Sequence, residues 1–146
     1  MIALGSDHGG FELKNEIMKH LDEQGVAYKD FGTYSKDSCD YPVYAEQVGK
    51  AVASGEYESG IILCGTGIGI SIAANKVRGV RAALCHDCYS AEYARLHNNA
   101  NVLALGGRVI GAGLALKIVD IFLSTGFEGG RHARRVGLIS KLEENN

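Results

Sequence analysis

The sequence predicts an α/β fold, with five strands in an open parallel sheet and helices on both of its faces. Three observations carry this. Strand-like and helix-like segments alternate five times along the chain. The strand segments are continuous apolar runs, as expected of strands buried on both sides. At 146 residues, with 46% hydrophobic and 22% charged residues, the composition is that of one ordinary globular domain with a real core.

The elements follow in order. Residues 2–4 (IAL) form a short apolar strand that leads into "GSDHGG". In "FELKNEIMKHLDEQG", Phe11, Leu13, Ile17 and Leu21 approximate one helical face, and Gly25 is its stop. "VAYKDFG" is a second strand, followed by a polar loop to Tyr41 and Pro42. Pro42 suits the first turn of a helix that carries Val43, Val48 and Val52. "GIILC" is the third strand, with a helix of small residues over 67–77 behind it. "RAALC" is the fourth strand, and a helix over about 89–97 follows. "NVLALG" is the fifth strand, "GLALKIVDIFLSTG" a long apolar-faced helix, and the basic segment after "EGGRHARR" a final helix.

Bulk properties exclude several function classes. A formal net charge of −2 leaves no electrostatic footprint for nucleic acid or anionic lipid. The apolar stretches are too short and too interrupted by glycine to span a bilayer. No basic-then-apolar leader precedes the first strand, so a cytoplasmic location is expected. The four cysteines (39, 64, 85 and 88) are then expected to be thiols.

The stretch "IILCGTGIGIS" (61–71) is the most specific feature. A dinucleotide fingerprint fails because residue 70 is Ile, and it would follow the first strand. A P-loop fails for want of a Lys before Ser or Thr. The nucleophile elbow fails because Ser71 has the wrong flanks. A thiol-phosphatase loop would need Arg where Ile70 stands. What survives is physical. A strand delivers Cys64 to the carboxyl edge of the sheet, where open α/β folds bind ligands. Gly65, Gly67 and Gly69 let backbone N–H groups converge on an anion at a helix N-terminus. That positive end also favours the thiolate of Cys64. The competing explanation is a buried packing cysteine beside glycines that only permit close contact.

Asp7 and His8 follow strand one, Tyr41 ends the loop after strand two, and Arg108 lies just past strand five. All belong to the carboxyl edge, and together they exceed ordinary surface polarity. Singly, Asp7 fits a helix cap, Tyr41 a loop anchor and Arg108 a solvated charge. His97 and Asn98 in "ARLHNNAN" end a helix before strand five, at the opposite edge. A five-residue strand spans roughly 17 Å, so His97 cannot easily reach Cys64 of its own chain. It either caps its helix, with Asn98 as the left-handed cap residue, or serves a neighbouring subunit. Arg131, His132, Arg134 and Arg135 pose the same geometry. Arg131 and Arg135 share a helical face that suits a phosphate, or else a solvated basic face. "CHDC" at 85–88 has no second ligand pair for zinc, and packing thiols fit it better than redox chemistry.

Taken together, "GSDHGGFELK", "DYPVYA", "CGTGIGISIAANK", "YSAEYARLHNNANVLALGGRVIG" and "FEGGRHARRV" resemble the type B ribose-5-phosphate isomerases. That family also holds galactose-6-phosphate and allose-6-phosphate isomerases, and the resemblance runs from about residue 2 to residue 140. It implies a Rossmann-like three-layer α/β/α sandwich and a homodimer whose active sites mix residues of both subunits, with assembly beyond the dimer left open. It implies aldose–ketose interconversion through an enediolate, without metal or cofactor. On this resemblance Cys64 is the base between C2 and C1, and Gly65, Thr66, Gly67, Ile68 and Gly69 hold the enediolate oxygens, with Thr66 assisting proton traffic. His97 opens the furanose ring, Asn98 binds a sugar hydroxyl, and Asp7 and Tyr41 contact the sugar. His8, Arg108, Arg131 and Arg135 form the phosphate set. The competing expectations are a hexose 6-phosphate isomerase, a phosphate-binding domain without chemistry, and a redox protein using Cys85 and Cys88.

Overall fold

The computed structural model describes residues 1–146. Five strands, β1 (Ile2–Ser6), β2 (Tyr28–Asp30), β3 (Ser59–Cys64), β4 (Ala82–Leu84) and β5 (Val102–Gly106), form one parallel sheet in the order β2-β1-β3-β5-β4. Six helices connect and follow them: α1 (Phe11–Glu23), α2 (Tyr41–Ala53), α3 (Ile68–Ala74), α4 (Cys88–Leu96), α5 (Ala112–Ser124) and α6 (Arg131–Glu144). None is long and apolar enough to cross a membrane.

The strands alternate their side chains between two cores. Ile2, Leu4, Ile61, Leu63, Leu103 and Leu105 face α1, α4 and α5, while Ala3, Ile62, Cys64, Val102 and Ala104 face α2 and α3. Both faces are therefore covered, giving the expected three layers, and Cys64 stands on the α2–α3 side.

Several boundaries differ from the sequence expectation. β1 runs on through Gly5 and Ser6, because both are buried and pair with β3. α3 stops at Ala74, where the next residue, Asn75, turns its amide onto both polar groups of Ala82 on the edge strand β4. The buried face of α1 comprises Leu13, Lys14, Ile17 and Leu21, with Phe11 only partly covered. Lys14 is wholly buried. Its Nζ donates to Asp30 Oδ1 at 2.5 Å and to Thr33 O at 2.7 Å, which ties α1 to the segment after β2.

The strand order decides where a ligand fits. From β1 the chain moves outward to β2 and then returns to the other side of β1 as β3. The carboxyl ends of β1 and β3 thus flank a topological switch point, where α/β folds open a crevice.

Candidate active site

At the switch point, residues 7–10 and 64–69 lie against each other. A Cβ placed on Gly9 would fall 2.9 Å from the backbone nitrogen of Gly65, so only glycine allows this approach. Asp7 Oδ1 accepts from the N–H groups of Gly9 (2.8 Å) and Gly10 (3.2 Å). One carboxylate oxygen of this buried residue therefore closes the turn ahead of α1; it is not the expected helix cap, because the N-cap is Gly10 and no side chain accepts from the first helical N–H groups.

Cys64 ends β3, is 4% exposed, and its Sγ accepts the Gly67 N–H at 3.1 Å. Gly67 adopts φ +78° at the head of α3. A side chain there would be strained and would meet Leu84 and Leu105 within 3 Å. The left-handed turn aims its N–H at the sulfur and starts the helix in one step. Thr66 Oγ1 accepts the Ile68 N–H at 3.1 Å, and Ile68 itself projects outward, 52% exposed.

The other predicted carboxyl-edge residues gather round this loop. A Cβ on Gly69 would fall 2.9 Å from Tyr41 Oη, so the phenol at the start of α2 reaches the glycine loop. A Cβ on Gly65 would fall 3.0 Å from an Arg108 guanidinium nitrogen. The Arg108 N–H also donates to Gly65 O at 2.9 Å. His8 Nδ1 accepts the Cys39 N–H at 3.2 Å, which leaves Nε2 free to donate. His8, Gly9, Glu12, Lys36, Gly107 and Arg108 line an open cavity of about 300 Å³. Lys36 was missed from the sequence, because it sits in a polar loop that carries no periodicity. It pairs with Glu12 at 2.6 Å and pulls that carboxyl below the usual carboxylate range.

His97, Asn98, Arg131 and Arg135 lie elsewhere. His97 is the C-cap of α4, ahead of β5, whereas Cys64 pairs with Gly106 at the far end of that strand. A strand length, roughly 17 Å, divides the two groups. The left-handed residue that closes α4 is Asn99 (φ +46°), not Asn98, which is exposed. Arg131 and Arg135 stand exposed one turn apart on α6.

The C-x-x-C pair straddles the β4–α4 turn, and all four cysteines are free thiols. Asp87 between the pair caps α4 by accepting the Ser90 N–H at 2.6 Å. Burial first, then the Asp87 charge, pushes the Cys85 thiol up to about 11, which suits a packing thiol and not a redox nucleophile.

An open parallel sheet with a thiol, a glycine loop, an imidazole and a guanidinium at its switch point defines an α/β protein that handles a small polar ligand at its strand ends. The profile of the Ribose/Galactose Isomerase family matches residues 2–139, and the chain belongs to that family; it is an enzyme, a sugar isomerase. The chain is 55% identical over 143 residues to ribose-5-phosphate isomerase B of Escherichia coli, covering 98% of this chain and 96% of that one. The solved structure of Clostridium thermocellum ribose-5-phosphate isomerase B superposes with TM-score 0.97 at 55% identity, covering 99% of this chain and 97% of that one. Ribose-5-phosphate isomerase B of Mycoplasma genitalium, solved with bound ribulose-5-phosphate, superposes at 0.95 with 43% identity, covering 99% and 97%.

Proposed function

We propose that this enzyme interconverts ribose 5-phosphate and ribulose 5-phosphate by proton transfer through an enediolate, without metal or cofactor. The observation that carries this is the pairing of a buried strand-end thiol with a backbone N–H from its own glycine loop. The relatives named above, one of them holding ribulose-5-phosphate, supply the substrate class.

Cys64 lifts the proton from C2 of the aldose and returns it to C1. A C–H beside a carbonyl is weakly acidic, so the charge that develops on O1 and O2 must be met by donors already in place. The loop from Gly65 to Gly69 serves that role, with Thr66 assisting proton traffic. Asp7 and Tyr41 hold sugar hydroxyls. His8 and Arg108 face the 300 Å³ cavity, where cations hold the phosphate as a remote handle that orients C1 and C2.

Ring opening needs a separate acid, and His97 is assigned to it, with Asn98 beside it on a sugar hydroxyl. Since these groups and the Arg131–Arg135 pair sit at the amino edge, they serve the site of a second subunit. The functional unit is then a homodimer with shared sites. Exposed apolar side chains around the thiol edge, including Ile68, Ile72, Tyr89 and Val109, offer a surface for such a partner.

The test incubates wild type and Cys64→Ala with ribose 5-phosphate in deuterated water containing EDTA. The expected result is EDTA-resistant conversion by wild type and a loss of about 10²–10⁴-fold in the variant, with binding retained. Unaltered turnover by Cys64→Ala would remove the thiol from the chemistry. Conversion of allose or galactose 6-phosphate in place of the pentose would reassign the substrate.

A further inference from the structure

The ring opener proposed above sits in a cluster of its own. The His97 ring stacks on His132 with centroids 4.0 Å apart and planes 10° apart, and Tyr93 meets it edge-on at 4.8 Å. Glu128, in the turn between α5 and α6, presents one carboxylate oxygen to each imidazole. Oε2 lies 3.6 Å from His97 Nε2 and Oε1 lies 3.9 Å from His132 Nε2. The Glu128 N–H also donates to Leu96 O at 3.0 Å, so the turn is fastened to the residue before His97.

His132 is 6% exposed, and its Nε2 has no hydrogen-bond partner. Burying an unpaired imidazole nitrogen costs free energy that a hydrophobic side chain would avoid. Two imidazoles and a carboxylate within 4.8 Å of one another invite a metal-centre reading. The parallel rings argue against it. An ion lies in the plane of each imidazole that binds it, and planes stacked this closely cannot share one ion. What the cluster does supply is a charge on one side of His97 and a flat buried surface on another.

We propose that Glu128 and His132 are positioning residues for His97: the carboxylate fixes the Nε2 side of the imidazole, the buried ring fixes its plane, and Nδ1 is left to face the sugar. This rests on the reading that His97 opens the sugar ring. The charged and titratable groups around the cluster are Tyr93 from α4, Glu128 from the turn, and Arg131 and Arg135 from α6. Of these, Glu128 alone presents a carboxylate to both imidazoles. Its carboxylate therefore faces the Nε2 side of the imidazole that donates a proton to the ring oxygen. Both carboxylate distances exceed a hydrogen bond, so Glu128 acts as an oriented charge.

The test exploits the two substrates. Ribose 5-phosphate is a furanose that must be opened. Ribulose 5-phosphate is always open, because its 5-oxygen carries the phosphate. Conversion of the first and solvent-deuterium uptake at C1 of the second therefore separate ring opening from proton transfer. The variants are Glu128→Gln, His132→Ala and His132→Phe, with His97→Ala as the reference. Glu128→Gln and His132→Ala are expected to lower kcat for ribose 5-phosphate about ten-fold or more, with KM and C1 exchange each within about two-fold of wild type. His132→Phe, which keeps the flat ring, recovers what His132→Ala loses. Wild-type kcat in Glu128→Gln, or equal loss of conversion and exchange, overturns the proposal while His97→Ala still shows the selective loss. If His97→Ala itself loses both activities equally, the ring-opening assignment fails and the positioning role falls with it.

Discussion

The sulfur of Cys64 and the backbone nitrogen of Gly67 are 3.1 Å apart, across a turn whose left-handed residue is Gly67 itself. The donor that meets the thiol and the start of α3 are thus one feature. Gly67→Ala is expected to cost about 1–3 kcal/mol of stability from the backbone conformation alone. The added methyl also contacts Leu84 and Leu105. Denaturant unfolding of the variant checks the first effect, and its turnover checks whether the thiol keeps its donor.

Arg108 sits over Gly65 and lines the cavity with His8, so it is the carboxyl-edge cation best placed for a phosphate. Arg108→Ala is expected to weaken ribose 5-phosphate binding about 10- to 100-fold, the worth of a charge-assisted contact. Inorganic phosphate should lose its competitive inhibition in parallel. Steady-state kinetics with phosphate as inhibitor reads both.

His132 makes stability depend on pH. Burial first, then the charges of His97 and Arg131, hold its pKa below the ordinary histidine value of about 6.5. A depressed folded pKa means that the unfolded chain takes up the proton first. The contribution is therefore present above about pH 6.5 and lost as pH falls below it. Thermal unfolding between pH 7.5 and 5 should show wild type losing midpoint faster than His132→Phe. Equal slopes would mean that this imidazole protonates in place without cost.

Most of the fold was legible because β1, β3, β4 and β5 are built on apolar runs and the glycines after β1, β3 and β5 fall at strand ends, whereas β2 (Tyr28–Asp30) is polar and only half-buried. The separation of His97 from Cys64 was legible too, since it depends only on which end of a strand each residue occupies. Strand order was not, because β4 and β5 are both short apolar runs that fit either position. Lys14 was hidden by its type: nothing local marks a lysine whose partners, Asp30 and Thr33, lie on another element. Glu128 was hidden for the same reason, since its relation to His97 arises only when the α5–α6 turn docks beside the end of α4. The left-handed residue after α4 was displaced by one, from Asn98 to Asn99, as two adjacent asparagines are locally equivalent.

The shared site is the central claim, and subunit mixing tests it most directly. Cys64→Ala and His97→Ala are each expected to lose ribose 5-phosphate conversion as homodimers. A heterodimer of the two holds one site with both side chains intact and one with neither. Co-expressed or mixed after subunit exchange, the pair should regain roughly a quarter of wild-type activity, since half the dimers are mixed and each has one working site. If the thiol and the imidazole served the same chain's site, no mixture would contain an intact pair, and activity would stay at the level of the separate variants.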